Sequence, residues 1–357
     1  MAKICYLADA DSSHTRKWVD YFSDLGDEIH LISMRDTKYK YKDNVKLYVI
    51  KPPFKSKLSY FFIINSIKKL INKINPDLIH SHYATSYGLY GRLSKKHPLI
   101  ISVWGSDVYD FPKSSKLKEK LFIYILKGAD VICSTSEDMA LEIKKYYDKK
   151  NIEITPFGVD IERFNIINKP LSNNYITIGV VKNLRKVYGI EYLIKAFADL
   201  SKEVEKDIRL MIVGDGEERE NLENLSKKLN IANKVNFVGN IDNKEVSKYI
   251  NKMDIICMPS IRESFGVAAV EAEACGRPVV CSDVGGLKEV VLHNKTGYLF
   301  KSEDIEDLKE KLKKLILDEK KIMEFSTKGR EFVVEKYDWN KNAAFMKKIY
   351  NSVLNKK

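Results

Sequence analysis

The sequence PSIRESFGVAAVEAEACGRPVVCSDVGG, residues 259–286, combines a helix pattern and a strand pattern that are separated by glycines. The apolar run at 255–258 predicts a strand that ends just before it, and Val267 begins a helix that ends before Gly276. The run at 279–282 then predicts the next strand. Strands that alternate with helices are typical of a parallel sheet covered by helices. This stretch therefore predicts an α/β fold.

The same alternation extends over the whole chain, on both sides of a polar segment. Further strands are predicted at 4–8, 29–33, 78–80, 99–103, 131–134, 176–181, 209–213 and 235–237. Residues 165–174 are polar and lack apolar periodicity, which predicts a linker, and 357 residues exceed the usual size of one core. We therefore predict two Rossmann-like domains, 1–165 and 166–338, that face each other across a cleft. A helix at 339–357 is predicted to pack back on the first domain.

Composition and charge exclude several classes of protein. Hydrophobic residues make up 44% and charged residues 31%, as in ordinary globular proteins, and no apolar run is long enough to cross a bilayer. The N-terminus lacks the pattern of a signal peptide, and the five cysteines are expected to be buried thiols, which together predict a cytoplasmic protein. Residues 1–165 contain 27 Lys and Arg against 20 Asp and Glu, which favours an anionic partner for this half.

Two glutamates and a glycine follow the predicted strand at the position where ligands of doubly wound sheets bind. Gly266 lets the backbone approach a ligand closely. The amides of Phe265, Gly266 and Val267 lie at a helix N-terminus, where they can hold a diphosphate or sugar hydroxyls. Glu263 and Glu271 are eight residues apart, so the helix can direct both carboxylates toward one cleft, where they accept hydrogen bonds from sugar hydroxyls.

This segment resembles the paired-glutamate motif of glycosyltransferase family 4, whose members have the GT-B fold. The proline-serine pair before it, the glycine that closes the helix, the proline-valine-valine strand and the glycine pair after it also match. Further matches are PFGVD at 156–160, VGDG at 213–216 and the dipeptide VG at 238–239. The resemblance covers nearly the whole chain and is clearest over residues 155–300.

The resemblance implies an enzyme that transfers a sugar with retention of configuration from a UDP- or GDP-sugar to a glycan or lipid-linked acceptor. Its product would belong to cell-surface polysaccharide or glycolipid synthesis. The resemblance further implies that Glu263 contacts the donor sugar and stabilises positive charge at the anomeric carbon, and that Glu271 holds the ribose. The amides of Phe265, Gly266 and Val267 would bind sugar hydroxyls and phosphate. The reaction is expected to need no metal or other cofactor, with the nucleotide sugar as co-substrate.

A basic loop is predicted to hold the diphosphate of the donor. Lys182 and Lys186, with Arg185 between them, follow the strand predicted at 176–181, and their cations can neutralise charge on the departing diphosphate. The family usually has an arginine at the strand end and a lysine directly before a glycine. Here Lys182 stands near the first of these positions and a tyrosine precedes the glycine, so the register of the two lysines stays open.

Two glycine turns are predicted to lie near the nucleobase. The resemblance places Gly214, Gly216 and Val238 around the base of the donor. Glycine-rich turns between a strand and a helix are common, so a plain tight turn without ligand contact is an equal alternative.

Side chains of the N-terminal half are predicted to bind the acceptor. Ser12 and Ser13 follow the first strand, where many family members have a glycine pair, and they can cap the next helix or contact acceptor or phosphate. Trp104 stands where many relatives have a histidine near the reaction centre; it cannot relay a proton but can stack on a sugar. Asp107 is predicted either to bind an acceptor hydroxyl or to cap a helix. His82, at a strand end, is predicted to contact the cleft, and no metal site is predicted around it.

Residues 51–73 contain six lysines and no acidic residue, with aromatic and aliphatic residues interleaved among them. This composition favours contact with an anionic membrane surface, and related enzymes often dock their N-terminal domain on a membrane. An equal alternative is a solvated helix face whose apolar side lies in the core. Nucleic acid is not expected as a partner, because no binding motif with interleaved base-stacking aromatics is evident.

Two other functions compete with sugar transfer. The first is a sugar-nucleotide epimerase of the same GT-B fold, which would release epimerised sugar without an acceptor. The second is a non-catalytic basic protein that binds anionic lipid or RNA. The second hypothesis requires disrupted donor residues, yet Glu263, Gly266 and Glu271 are all present.

Overall fold

The computed structural model describes residues 1–54, 57–148 and 151–355. Lys55, one of the lysines in the predicted membrane contact, lies outside the described residues, and so does the side chain of Lys57. The chain divides into two compact units, the first consisting of Met1–Pro156 with Asn342–Lys357 and the second of Phe157–Lys341. Each unit has a parallel sheet and a hydrophobic core of its own.

The first unit contains a seven-stranded parallel sheet with the order β3-β2-β1-β4-β5-β6-β7. Its strands are β1 (Lys3–Leu7), β2 (Glu28–Ser33), β3 (Val45–Val49), β4 (Leu78–His82), β5 (Leu99–Val103), β6 (Val131–Ser134) and β7 (Ile152–Ile154). Its first six helices are α1 (Ser13–Asp24), α2 (Ile64–Ile74), α3 (Ser86–Ser94), α4 (Ser106–Tyr109), α5 (Lys116–Lys127) and α6 (Glu137–Lys144). The strands in the middle are buried along their whole length, as expected for a parallel sheet covered by helices.

The second unit contains a six-stranded parallel sheet with the order β10-β9-β8-β11-β12-β13. Its strands are β8 (Ile176–Val181), β9 (Ile208–Val213), β10 (Val235–Gly239), β11 (Ile255–Met258), β12 (Val279–Ser282) and β13 (Gly297–Phe300). Its helices are α7 (Ile190–Glu203), α8 (Arg219–Lys228), α9 (Val246–Ile250), α10 (Val267–Ala274), α11 (Leu287–Val290), α12 (Ile305–Leu317) and α13 (Glu319–Lys336). The predicted α/β class and the two Rossmann-like sheets are confirmed.

The strand order reverses once in each sheet, and this reversal positions the candidate sites. In the first sheet β1 pairs with both β2 and β4, and in the second β8 pairs with both β9 and β11. Successive crossovers leave the first strand in opposite directions, so a crevice opens at its carboxyl end. Ligands of open α/β sheets bind at this point.

Three strands did not follow from the sequence pattern. Strands β3 and β7 are the edges of the first sheet and are only partly buried, so their sequences lack a continuous apolar run. Strand β13 is the edge of the second sheet and consists of four residues that begin with Gly297.

The division between the units falls after Pro156, earlier than the boundary that the sequence predicts at 165. The reason is that the predicted linker is held on the second unit. The side chain of Asn251 accepts a hydrogen bond from the amide of Ile167 at 2.9 Å and donates one to the carbonyl of Asn165 at 3.0 Å. Phe164 is buried. A polar segment can look like a linker in sequence while side chains of distant residues bind its backbone.

The last helix, α14 (Trp339–Leu354), belongs to the first unit from Asn342 onward. The ring of its Tyr350 stacks on Phe22 with the centroids 4.5 Å apart. The Tyr350 hydroxyl lies 2.9 Å from the hydroxyl of Tyr6 and 2.5 Å from Nδ1 of His80. The C-terminal residues thus complete the buried polar centre of the N-terminal sheet.

Candidate active site

Loops from separate parts of the chain meet at the carboxyl edge of the second sheet. The amide of Lys182, just after β8, donates to the carbonyl of Val213 at the end of β9, at 2.9 Å. The amide of Ile261, in the loop after β11, donates to the carbonyl of Val187 at 2.9 Å. The basic loop and the glutamate motif are therefore neighbours at the point where the strand order reverses.

Gly214 is required by the close packing of these loops. Its φ is +133°, a conformation that L side chains rarely adopt, and a Cβ there would lie 1.9 Å from the carbonyl oxygen of Lys182. A Cβ at Gly216 would lie 2.4 Å from another carbonyl oxygen of the same loop. Val238 precedes Gly239, whose carbonyl accepts the amide of Gly214 at 2.9 Å. Packing between loops thus accounts for the glycines, and their contact with a nucleobase stays a prediction.

Lys182 and Glu263 form an ion pair at the centre of this edge. Nζ of Lys182 lies 2.5 Å from Oε2 of Glu263, and the two side chains are 16% and 11% exposed. The ammonium also lies 4.4 Å from the centroid of the Tyr188 ring. The carbonyl of Glu263 accepts the amide of Gly286 at 3.1 Å, which fixes the backbone of the glutamate. A cation and a carboxylate are therefore held in place, and each neutralises the charge of the other.

The N-terminus of α10 lies directly after this ion pair. Gly266 caps the helix with a φ of +101°, and a Cβ there would lie 2.7 Å from Cδ2 of Leu287. The amides at the start of a helix have no carbonyl within the helix to accept them, so Val267 presents a backbone donor at its positive end. The side chain of Phe265 is buried, with its ring 5.5 Å from that of Tyr337. Phe265 thus contributes only its backbone to the site.

Two glutamates of α10 have different surroundings. Glu271 is half-buried and lies one turn after Val267, on the same side of the helix. Glu273 is fully buried, and burial raises its pKa well above the usual value for a glutamate. Residues two apart on a helix do not face the same way, so the two carboxyls separate into a solvent-accessible and a buried one. The sequence analysis missed Glu273.

The structure separates the lysines that the sequence left in open register. Lys182 is the lysine that contacts Glu263 among the described residues. Lys186 and Arg185 are exposed and line a cavity of about 420 Å³ between α7 and α8. Nε of Arg185 lies 3.7 Å from Oε1 of Glu217, a pair between two exposed side chains. Their predicted contact with a diphosphate stays untested, and the geometry favours Lys182.

The predicted acceptor residues of the first unit lie near the carboxyl end of β1. Ser12 is the N-cap residue of α1, and its carbonyl accepts the amide of Arg16 at 3.0 Å. Ser13 is the first residue of the helix and is exposed. The Ser12 side chain makes no capping hydrogen bond, so the predicted capping role is not seen.

An aromatic cluster surrounds Trp104. Its ring centroid lies 4.5 Å from that of His82, 5.7 Å from that of His14 and 5.5 Å from that of Tyr83. Burial, followed by the nearby His80 and His14, holds the pKa of His82 well below its usual range. Burial likewise lowers the pKa of His14 to about 4. Both imidazoles are therefore neutral at physiological pH, and the Trp104 ring packs mainly against protein.

Asp107 is not positioned to bind an acceptor, in contrast to the first of its two predicted roles. Its side chain is 1% exposed. One carboxylate oxygen accepts the amide of Ala84 at 2.8 Å, and the other accepts those of Trp104 at 3.1 Å and Gly105 at 2.9 Å. The carboxylate therefore joins the loops after β4 and β5 by binding their backbone amides, and it is not the N-cap residue of α4, which is Gly105.

Sequence reasoning missed a cavity of about 300 Å³ with both polar and apolar walls at the same edge of the first sheet, which we call the strand-end pocket. It is lined by Asp9, Met34, Arg35, Pro52, Tyr60, Tyr83, Thr85, Ser86 and Tyr87. Nη1 of Arg35 lies 3.2 Å from Oδ2 of Asp9. Tyr83 has a φ of +71°, which is uncommon for an aromatic residue and is typical of functional loops. No sequence motif marks this pocket because its residues come from separate loops.

The described part of the chain has neither a cluster of metal ligands nor a membrane-spanning helix. Residues 1–54, 57–148 and 151–355 contain no group of three or more histidine, cysteine or acidic side chains arranged to hold a metal ion. None of the described helices has the length and apolarity needed to cross a membrane. All five cysteines are buried free thiols. Independence from metal stays a prediction.

Comparison with known proteins agrees with this arrangement. Residues 3–136 match the family model of glycosyl transferase 4-like proteins, and residues 162–332 match that of glycosyl transferases group 1. An uncharacterised glycosyltransferase of Methanocaldococcus jannaschii is 29% identical, over 95% of this chain and 93% of its own. N-acetyl-alpha-D-glucosaminyl L-malate synthase of Bacillus anthracis is 27% identical, over 82% of this chain and 79% of its own.

Solved structures share the fold. HepE of Anabaena, solved in complex with UDP, has a TM-score of 0.83 and 18% identity, with 98% of this chain and 100% of that chain covered. The two matching family models lie on the two α/β units, and the paired glutamates lie within the second. The chain therefore belongs to the family 4 type of glycosyltransferases and has the two-domain GT-B fold.

Proposed function

We propose that this enzyme transfers a sugar, with retention of configuration, from a UDP- or GDP-sugar to a glycan or lipid-linked acceptor. The observation that supports this most is the Lys182–Glu263 ion pair, which lies beside the N-terminus of α10 at the reversal point of the second sheet. A nucleoside diphosphate sugar has a dianionic linker next to a carbon that becomes positive in the transition state. A cation beside a carboxylate complements both charges.

Each group has a role in this mechanism. The Lys182 ammonium leaves Glu263 and binds the diphosphate, whose negative charge grows as the bond to the sugar breaks. The released Glu263 carboxylate then stabilises positive charge at the anomeric carbon. The first amides of α10 bind phosphate or sugar hydroxyls, and Glu271 accepts hydrogen bonds from the ribose. The departing diphosphate accepts the acceptor proton on the same face of the sugar, which gives retention.

The proposed reaction needs no metal ion. Divalent cations serve other phosphate-transfer enzymes by neutralising the charge of the leaving group. Here the ammonium of Lys182 and the positive end of α10 supply that charge. Free thiols such as the five buried cysteines persist in a reducing compartment, which supports the cytoplasmic location that we propose. Synthesis of cell-surface polysaccharide or glycolipid is the proposed role.

A thermal-shift panel is the first test. The panel contains UDP, GDP, ADP and CMP with their common sugars, without metal and then with it, because a nucleotide that binds the folded state raises Tm. We expect a metal-free shift with UDP or GDP. The sugar of that nucleotide is then supplied with candidate acceptors, and the anomeric configuration of the product is read by NMR.

Three outcomes would contradict the proposal. An inverted product excludes retention. Epimerised sugar formed without acceptor indicates the epimerase. Absence of a shift with any nucleotide favours the non-catalytic protein, and binding to anionic lipid or RNA is then measured.

A further inference from the structure

The described part of the first unit contains an apolar cavity of about 440 Å³, which we call the apolar groove. Its walls come from Tyr60 and Phe61, from α3, from the segment between α4 and α5, and from α5 itself, and they include Leu89, Phe111, Leu117 and Leu121. Leu117 is 77% exposed and Phe61 is 57% exposed. The volume is in the range of small-molecule sites, and clustered exposed apolar side chains mark binding surfaces.

The apolar groove adjoins the strand-end pocket. Tyr60, Thr85 and Ser86 line both cavities. The strand-end pocket has both polar and apolar walls, with the paired Asp9 and Arg35 among its polar groups, and lies where the strand order of the first sheet reverses. A ligand that occupies both cavities can therefore place a polar head beside Asp9 and Arg35 and an apolar tail in the apolar groove.

The surface around the groove is basic. Residues 44–76 contain seven lysines and no acidic residue. Helix α2 buries Ile67, Ile71 and Ile74, as the alternative of a solvated helix face expects, and its Lys69 and Lys73 are exposed. The segment before it is different, because Phe54, Phe61 and Phe62 are exposed. Lys46 and Lys51 form ion pairs with Glu28 and Asp36, so the exposed aromatic residues complement an anionic lipid surface together with the lysines of α2.

One cation lies at the rim of the groove itself. Lys118 lines the groove, and its Nζ lies 5.8 Å from the centroid of the Phe111 ring and 2.9 Å from the Ser114 hydroxyl. Lys118 has no carboxylate partner among the described residues, so its charge is available to a ligand. A cation at the rim of the apolar groove can bind the anionic group of a molecule whose hydrocarbon chain occupies the groove.

We propose that the apolar groove holds the hydrocarbon chain of a lipid-linked acceptor drawn from an anionic membrane leaflet, with the polar head of the acceptor in the strand-end pocket. This inference rests on the proposed glycosyl transfer and names its acceptor class. Burial of the chain removes apolar surface of both ligand and groove from water, and the exposed Lys69 and Lys73 of α2, together with Lys118, hold the enzyme at the leaflet.

The test uses the full chain and cis-parinaric acid, an anionic fatty acid whose fluorescence increases in apolar sites. The variants Leu117→Glu and Phe61→Glu each place a charge in the groove at an exposed position, so neither disturbs the core. Leu317→Glu is the matched control, since Leu317 is 61% exposed and lies in the second unit. We expect each groove variant to weaken binding about 10-fold or more, because a carboxylate is costly to desolvate against a hydrocarbon chain. The control is expected to bind like the wild type.

A second measurement tests the source of the ligand. Sedimentation with vesicles of phosphatidylcholine alone is compared with sedimentation with vesicles that also contain phosphatidylglycerol. We expect binding only to the anionic vesicles, with loss in the groove variants and in high salt. The inference is overturned if parinaric acid does not bind the wild type. It is also overturned if the groove variants bind parinaric acid with unchanged affinity. Equal binding to both kinds of vesicle overturns the anionic leaflet as the source.

Nucleotide-induced thermal shifts on the same proteins keep this inference separate from the proposed function. The groove variants are expected to retain the wild-type shift because the donor residues lie in the second unit. A wild type that binds parinaric acid but shows no nucleotide shift contradicts sugar transfer and leaves lipid binding in place. A wild type with a shift but without lipid binding contradicts only the groove.

Discussion

Replacing Glu263 with glutamine tests the ion pair at the candidate active site, because it removes one charge and keeps the size of the side chain. Nζ of Lys182 lies 2.5 Å from the carboxylate. Coulomb attraction at this distance is about 7 kcal/mol with an effective dielectric constant of about 20. That value is an upper bound, since both side chains are partly exposed, at 16% and 11%. The net attraction that a diphosphate must overcome is about 1–2 kcal/mol.

The variant is expected to bind nucleotide more tightly while it loses activity. Without the carboxylate, Lys182 is available to the diphosphate from the start, so the Kd of UDP or GDP falls about 5- to 30-fold. Turnover falls about 100- to 1000-fold, because the positive charge at the anomeric carbon loses its stabilising group. Calorimetric titration measures the first effect, and release of nucleoside diphosphate in the presence of acceptor measures the second.

The matched control is Glu217→Gln. Glu217 is an exposed carboxylate of the neighbouring loop, 3.7 Å from Arg185, so its removal changes the net charge of the site equally. We expect unchanged nucleotide affinity and turnover. Glu263→Gln with normal turnover and unchanged Kd would refute the assignment of this pair. Tighter binding that persists after Lys182→Met is added would show that another cation holds the diphosphate.

Four further predictions concern single residues. Gly266→Val places a side chain at a φ of +101°; it should lower the free energy of unfolding by about 2–5 kcal/mol and reduce the nucleotide-induced rise in Tm, measured by urea unfolding and thermal shift. Burial raises the pKa of Glu273 above its usual 4.5, so the carboxyl stays protonated in the folded state while it ionises in the unfolded state. The free energy of unfolding should therefore fall by up to about 1.4 kcal/mol per unit as pH rises above about 4.5 until the folded pKa is reached, and Glu273→Gln should reduce this slope in urea titrations between about pH 5 and pH 8. Tyr350→Phe removes the hydroxyl that lies beside Tyr6 and His80 and leaves a buried polar group without its partner. It should lower the free energy of unfolding by about 1–3 kcal/mol, measured as a lower Tm. An unchanged Tm would show that these hydrogen bonds do not stabilise the fold. Lys186→Ala should change the nucleotide Kd by less than about 2-fold, because an exposed cation contributes little to binding free energy. A large loss of affinity would assign the diphosphate contact to this lysine.

Local patterns sufficed for the secondary structure in the middle of each sheet. Strands such as β8 and β11 are apolar along their length because helices cover both faces of the sheet, and that burial is visible as a continuous run in the sequence. The partly exposed edge strands β3 and β7 carry no such run and were found only in the structure. The boundary at Pro156 was likewise invisible, because hydrogen bonds from distant side chains bind the predicted linker.

The sequence by itself determined the fold class, the family resemblance and the glutamate motif, because these depend on periodicity and on spacing within short segments. Only the tertiary structure decided which lysine meets Glu263, since the path of a loop depends on its packing against other loops, as the hydrogen bond between Ile261 and Val187 shows. It also decided that Asp107 is buried and binds backbone amides, and that an apolar groove adjoins the strand-end pocket. Burial and juxtaposition arise from contacts between residues far apart in the chain, and a single sequence does not record them.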